Sequence, residues 1–344
     1  MNFSKKLINW YSVNKRDLPW RKTQNPYFIW LSEIILQQTQ VVQGWPYYDA
    51  FITKYPTVYD LASANEEEVL NLWQGLGYYS RARNLHTSAK YIVSELDGVF
   101  PTTYNEIKKL KGVGDYTASA IASICYNEPT AVVDGNVYRV LSRVFGIETP
   151  INSTLGIKEF KQLAQVLIDL KNPATFNQAI MDFGSQVCKP KQPFCEDCIF
   201  KNSCVALNTN AITSLPVKLK KTKVTTKNFN FIVFITEDAS TVIEKRTKKG
   251  IWQNLYQFPL IETDEEATYH YINETLKNQF KLIDFNLNLY NEQFITHKLS
   301  HQHLNTKFWI VNTVEELDNK VKVKDLDKYP VPVLISNFIN DFNF

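Results

Sequence analysis

The sequence predicts two domains of different class: an all-α unit over residues 1–204 and a smaller α+β domain over residues 225–344, joined by a linker at 205–224. Three observations predict it. Apolar residues recur at three- and four-residue spacing up to about residue 170, the period of a helix with one buried face. From about residue 225 the texture changes to short runs of β-branched and aromatic residues. Between the two lies ALNTNAITSLPVKLKKTK, polar and basic with one proline. With 344 residues, 44% of them apolar, the chain is long enough to bury two cores.

In chain order, the helical spacing covers 27–43, 66–75, 82–96, 117–126, 136–145 and 158–170, with glycine and proline between the segments. FNFIVFIT and STVIEKR then read as strands, and GIWQNLYQFPL as extended chain. A helix is predicted over 264–278, followed by strand-like FKLIDFNLNLY and TKFWIVNT. No internal repeat is visible.

Net charge is +3, from 38 Lys and Arg against 35 Asp and Glu, which excludes no class of partner. Its distribution says more. No residue between Asp197 and Glu237 is acidic, and the interval carries Lys201, Lys218, Lys220, Lys221, Lys223 and Lys227. Such a run suits a polyanion, and equally a solvated linker. The segment MNFSKKLINWYS lacks the apolar core of a signal peptide, and no stretch approaches a membrane span. The expected compartment is the cytoplasm, with thiols reduced.

Four of the five cysteines, Cys188, Cys195, Cys198 and Cys204, are spaced C-x6-C-x2-C-x5-C. In a reducing compartment such a group reads as a metal site before it reads as two disulfides; zinc and an iron–sulfur cluster both accept four thiolates. A single close doublet leans toward a cluster. Cys125, alone on an apolar helix, reads as core.

In LKGVGDYTA, Gly112 and Gly114 remove side chains, so that backbone N–H groups can approach an oxyanion where a helix begins near Asp115. An oxyanion such as a phosphate fits such a site, and a tight turn between helices needs glycine too. Two carboxylates stand in contrasting surroundings. Glu33, in PYFIWLSEIILQQTQV, has Ile29, Trp30 and Leu36 one helical turn away, so its carboxyl is expected to be desolvated and protonated near neutrality. Asp134, in AVVDGNVYRVL, can cap a helix, where N–H groups are expected to lower its pKa and keep it ionised. Each alone is compatible with a structural role. Together they resemble the acid and anion that glycosidic cleavage needs.

The cysteine spacing and the glycine turn resemble the endonuclease III superfamily of helix-hairpin-helix DNA glycosylases. There the cysteines hold a [4Fe–4S] cluster, and members that also cut the strand carry a lysine where this chain has Tyr116. SEIILQQTQV, GLGYYSRARN, VDGNVYRV and the cysteine cluster are similar to the MutY-type adenine DNA glycosylases over essentially the whole chain. That resemblance implies a helix-hairpin-helix glycosylase domain with a cluster loop and a MutT-like (Nudix-like) C-terminal domain. It implies a monofunctional enzyme of base excision repair. The enzyme would remove adenine opposite 8-oxoguanine or guanine in double-stranded DNA, acting as a monomer without membrane attachment.

By the same resemblance, Glu33 is the acid and Asp134 the carboxylate that meets the sugar cation. Tyr116 and Asn136 assist. Trp20, Arg21 and Gln178 line the adenine pocket. Gln38, Thr39, Leu76 and Tyr78 enter the duplex around the oxidised guanine. TVIEKRTKKGIWQNLYQFP resembles the MutT-like domain, without the R-E…E-E pattern of a nucleotide hydrolase after Gly250, so recognition is expected in place of hydrolysis. Ser300 and His301 match the loop that contacts 8-oxoguanine, with Leu299 replacing its aromatic residue. Two alternatives remain: a bifunctional endonuclease III-type glycosylase/lyase for oxidised pyrimidines, and an iron–sulfur DNA sensor without activity. Tyr116 argues against the first, and the two carboxylates against the second.

Overall fold

A computed structural model describes residues 3–219 and 224–344. Its helices are α1 (Phe3–Asn14), α2 (Pro26–Ile35), α3 (Val41–Lys54), α4 (Val58–Ser63), α5 (Glu66–Leu72), α6 (Ser80–Glu95), α7 (Tyr104–Ile107), α8 (Asp115–Tyr126), α9 (Gly135–Phe145), α10 (Thr154–Leu167), α11 (Pro173–Gln186) and α12 (Val205–Asn208), with α13 (Tyr269–Gln279) and α14 (Val333–Asp341) near the C-terminus. Strands enter only after residue 224: β1 (Thr225–Ile235), β2 (Ser240–Val242), β3 (Glu244–Lys245), β4 (Tyr256–Gln257), β5 (Leu260–Thr263), β6 (Phe285–Leu289), β7 (Ile295–Lys298), β8 (Gln302–Thr313) and β9 (Lys320–Lys322). The predicted class, all-α followed by α+β, holds. Among the described residues no helix is long and apolar enough to cross a membrane.

Packing groups the chain into two units, Met1–Ser63 with Asn84–Lys220 and Ala64–Arg83 with Lys221–Phe344. The segment 64–83, inside the helical stretch, thus belongs with the α+β unit.

In the first unit, α1, α9 and α11 share a core: Phe3, Leu7 and Tyr11 meet Val137, Val140, Val144, Phe176, Ile180 and Phe183. Phe3 stacks on Phe200 with ring centroids 4.7 Å apart. Each such buried side chain contributes about 1.5–3 kcal/mol. The predicted helix 27–43 is two helices, because Gln38 turns the chain with a left-handed φ of 55°. The stretch read as linker is packed as far as it is described. Leu215 is buried, its carbonyl accepts from Arg143 Nε at 3.1 Å, and Val217 O accepts from Ile151 N at 3.0 Å. Lys220, Lys221 and Lys223 lie outside the described residues.

In the second unit β5, β1, β8 and β6 form a mixed sheet, with β1 and β8 parallel and β7 also paired to β8. Ile232, Phe234, Trp309 and Val311 pack against Ile272 and Leu276 of α13. Phe338 of α14 stacks on Phe308 of the sheet at 4.0 Å. The segment 64–83 is tied in by polar contacts. Glu67 accepts from Lys245 Nζ and Tyr256 Oη. Val331 N donates to Gln74 Oε1 and Val331 O accepts from Tyr79 Oη, both at 3.1 Å. Arg83 Nη1 donates to Gln253 O at 2.7 Å.

Candidate active site

Glu33 rides on α2. Asn25 caps that helix by accepting from Tyr27 N at 3.0 Å, and Pro26 stands at its first position, where no N–H is missed. Ile29, Trp30, Ile34 and Ile35 bury the rest of the helix. Glu33 keeps some surface only because it lines a cavity of about 890 Å³. Burial pushes its carboxyl up to about 7. The hydrogen bond with Tyr116 and the charge of Arg21 pull the other way, and the charge of Asp134 adds to the rise.

Asp134 lines the same cavity and is the N-cap of α9. It accepts from Asn136 N at 2.9 Å and Val137 N at 2.8 Å, and from Asn136 Nδ2 at 2.8 Å. Arg139 Nη2 donates to Asn136 Oδ1 at 2.8 Å and so sets the amide's orientation. Gly184 lets α11 come this close, since a Cβ there would stand 2.7 Å from Asn136 Cβ. The expected lowering of the Asp134 pKa is corrected: burial raises it, and the bonds from Val137 and Asn136 and the charge of Arg139 oppose that rise without reversing it. The residue sits deeper than a surface cap.

Tyr116, in the first turn of α8, donates to Met181 Sδ at 3.1 Å and shares a hydrogen bond with Glu33. Burial and the neighbouring carboxylates hold its hydroxyl far above the ordinary range, so it stays neutral. Gly112 has φ +83° and lies against Asn84, whose Cβ would be 2.7 Å from an added Cβ. Gly114 is the N-cap of α8 without a side-chain cap, and space is open where its Cβ would be. The first N–H groups of α8 therefore have no capping side chain.

The cavity wall also holds Trp20, Arg21, Gln178, Gln38 and Thr39. Trp20 meets Tyr48 edge-on at 5.3 Å. Gln178 Oε1 accepts from Tyr11 Oη at 2.6 Å. Sequence reasoning missed Arg16, which lines the cavity too, and Asp182, which holds both arginines. The available signal was spacing: Asp182 is four residues after Gln178, on the same face of α11.

Leu76, Tyr78, Ser300 and His301 are not part of this cavity. They line another, of about 520 Å³, within the second unit. Tyr78 is exposed with φ +48°, and its hydroxyl lies 2.9 Å from Ser300 Oγ. Ser300 and His301 form the tip of the β7–β8 hairpin, closed by Leu299 N donating to Gln302 O at 2.9 Å. Leu76, read as entering the duplex, is buried. Trp252 and His297 pack ring against ring at 5.7 Å in the same wall.

Cys188, Cys195, Cys198 and Cys204 line one small apolar pocket with Val144, Phe183 and Leu207, and all four are free thiols. Arg143 Nη1 donates to Cys188 Sγ at 3.6 Å and Phe200 N to Cys198 Sγ at 3.4 Å, partners suited to a thiolate. Among the described residues no three His, Cys, Asp or Glu groups converge tightly enough to hold a single metal ion. The four thiols around one space form a donor set that zinc or an iron–sulfur cluster would accept. Cys125 is held neutral, its thiol pushed up to about 12 by burial.

Residues 31–168 match the family described as HhH-GPD superfamily base excision DNA repair protein, and residues 230–341 match the NUDIX domain. The chain is similar to the adenine DNA glycosylase of Buchnera aphidicola subsp. Schizaphis graminum, 37% identical over 76% of this chain and 75% of that one. It is 34% identical to the adenine DNA glycosylase of Buchnera aphidicola subsp. Baizongia pistaciae over 93% and 89%. The human adenine DNA glycosylase is 47% identical over 59% of this chain and 39% of its own. Among solved structures, a thermostable thymine-DNA glycosylase superposes with a TM-score of 0.57 at 30% identity, over 60% of this chain and 95% of that one. An endonuclease III–DNA complex shares the fold at a TM-score of 0.53 and 21% identity, over 60% and 94%.

Proposed function

The chain belongs to the adenine DNA glycosylases, base-excision enzymes that hydrolyse an N-glycosyl bond, and from that premise we propose how its residues divide the work. The substrate is double-stranded DNA with adenine opposite 8-oxoguanine or guanine, engaged by a monomer in the cytoplasm. Adenine leaves the stack and enters the 890 Å³ cavity, where Trp20, Arg21 and Gln178 surround it. Glu33 gives its proton to a ring nitrogen of the departing base, which turns a poor leaving group into a neutral one. Positive charge then develops on the sugar, and the Asp134 carboxylate, held by Asn136 and the start of α9, stabilises or captures it. Water completes the hydrolysis, and Glu33 recovers its proton. Tyr116 orients Glu33 and cannot form a Schiff base.

The observation that carries this reading is the pair itself: a carboxyl raised to about 7 and a hydrogen-bonded carboxylate lining one cavity. No lysine is among the described residues lining that cavity, which argues against a lyase. The first N–H groups of α8, after Gly112 and Gly114, would hold a DNA phosphate. Cys188, Cys195, Cys198 and Cys204 would ligate a [4Fe–4S] cluster, on a loop that Arg143 of α9 holds by donating to Cys188 Sγ and to the carbonyls of Lys189 and Pro190. The division proposed is catalysis in 1–204, connection through 205–224, and reading of the opposite base in 225–344 by Ser300 and His301, with Tyr78 beside them. Gln38 and Thr39 would meet the duplex at the cavity rim.

The test is a duplex with one adenine opposite 8-oxoguanine, incubated and then treated with alkali. Strand breaks that need alkali are expected. Breaks without alkali would mean a lyase, and no base loss would overturn the assignment. Glu33→Gln in the same assay is expected to lose roughly 10²–10⁴-fold in rate.

A further inference from the structure

Asp182 has no exposed surface. Five N–H groups converge on its carboxylate. Arg16 donates from its backbone N at 3.3 Å, from Nε at 2.9 Å and from Nη2 at 2.5 Å. Arg21 donates from Nη1 at 2.7 Å and from Nη2 at 2.9 Å. Two guanidiniums share one anion, so the cluster keeps a positive charge, and both arginines line the cavity that Glu33 lines. Arg21 is largely buried, and removing the buried partner of such a pair leaves a charge uncompensated. Arg21 already acts on Glu33 through space. Besides Asp182, the carboxyl whose charge acts on Arg21 is Glu33, and an ion pair there would strip Glu33 of the proton that excision requires.

We propose that Asp182 is a positioning residue for base excision: it captures Arg16 and Arg21 so that neither guanidinium pairs with Glu33. The inference rests on the reading of Glu33 as the acid. The other charged or titratable groups that face Glu33 are Tyr116 and Cys125 from α8, Asp134 from the start of α9, and Arg21 from the turn before α2. Of these only Arg21 carries a positive charge, so its placement decides whether Glu33 is an acid or half of a salt bridge.

The test is single-turnover adenine release by the full-length protein from pH 5 to 9. Activity that needs protonated Glu33 falls as pH rises through its pKa. An opposite charge brought close lowers a carboxyl by about 1–3 units. In Asp182→Asn the descending limb should therefore move about 1–3 pH units lower, costing roughly tenfold in rate per unit above neutrality, with the deficit shrinking toward pH 5. Asp182→Glu should return the limb toward the wild-type position. Arg21→Gln removes the cation that faces Glu33 and should move it higher. A residue that merely ties the N-terminal segment to α11 would lower the rate by the same factor at every pH. That result, or an unmoved limb in Asp182→Asn, overturns the proposal. If Asp182→Asn fails to fold by thermal melting, Arg21→Gln decides: an upward shift supports the proposal and an unmoved limb refutes it. Glu33→Gln is run in parallel. Wild-type turnover there would remove the acid assignment itself, whereas an inactive Glu33→Gln with an unmoved Asp182→Asn limb refutes only the role of Asp182.

Discussion

Replacing Glu33 by glutamine should make the protein more stable above neutral pH while removing its activity. The carboxyl titrates near 4.5 in the unfolded chain and near 7 in the folded one, because folding buries it. Below 4.5 both states hold the proton and the group costs nothing. As pH rises through 7 the folded state must ionise a buried carboxyl, and stability present at low pH is lost. A separation of about 2.5 units, at about 1.4 kcal/mol each, sets that loss near 3 kcal/mol. Water in the cavity screens the charge, so this is an upper value. Glutamine never ionises and can still share a hydrogen bond with Tyr116, its amide donating to the hydroxyl oxygen. The gap in stability between Glu33→Gln and wild type should open between pH 5 and pH 8, at about 2–4 °C in Tm per kcal/mol for a unit of this size. The assay is thermal unfolding by circular dichroism of both full-length proteins at matched pH. A gap that is constant across this range, or a wild type that stays the more stable at pH 8, would refute the reasoning that burial keeps Glu33 protonated.

Asp134→Asn should abolish single-turnover excision yet cost less stability than Asp134→Ala. Asparagine still accepts from Asn136 N and Val137 N, whereas loss of a cap costs about 0.5–2 kcal/mol; urea unfolding and rapid-quench rates check both, and full activity returns Asp134 to a capping role. Tyr116→Lys should form a Schiff base that borohydride traps as a protein–DNA crosslink, and no crosslink at high pH would mean that residue 116 is not beside the sugar. Chelation of iron from the purified protein should unfold the loop 188–204, read as new proteolytic cleavage there; unchanged protection would argue against four-thiolate ligation.

Much of the fold was legible because it is written locally. The period of apolar residues gave α6, α8, α9 and α10 within a few residues, and the β-branched runs gave β1 and β8. Six helices escaped: α1, α4, α7, α11, α12 and α14. In α1, Phe3, Leu7 and Tyr11 mark one face, but their burial depends on Phe200 and α9, far away in sequence. In α11, Gly184 and Asn177 interrupt the pattern, because the helix needs close approach more than apolar surface. At the site, Glu33 and Asp134 were legible as residues, but only the direction for Glu33 was. Asp134 caps α9 as its position suggests, yet its pKa follows its depth, which no local pattern encodes. Asp182 was invisible for the same reason: its five donors come from residues more than 160 positions away.

The division of labour is less linear than the domain order suggests, and truncation measures by how much. Removing everything after residue 224 should leave excision by Glu33 and Asp134 intact, since every group that touches them precedes it. The fragment would keep the residues Leu76 and Tyr78. It would lose Ser300, 2.9 Å from the Tyr78 hydroxyl, and also Val331 and Gln253, which hold Gln74, Tyr79 and Arg83 on either side. Tyr78 stands at φ +48°, after Gly75 at +91° and Gly77 at +76°, a backbone that persists only where its surroundings fix it. Ser300→Ala removes one hydrogen bond, about 0.5–1.5 kcal/mol or roughly 2- to 12-fold in preference for 8-oxoguanine over guanine. Truncation should cost more, toward the roughly 5- to 150-fold that a base-edge contact supplies, because the Tyr78 turn loses its supports with the hydroxyl partner. Binding constants and single-turnover rates against both opposing bases compare the two proteins. Equal losses would mean that the supports of the 74–83 turn do not matter to recognition. A truncated protein with full preference would move recognition to Gln38 and Thr39 and leave the C-terminal domain without a part in reading the base.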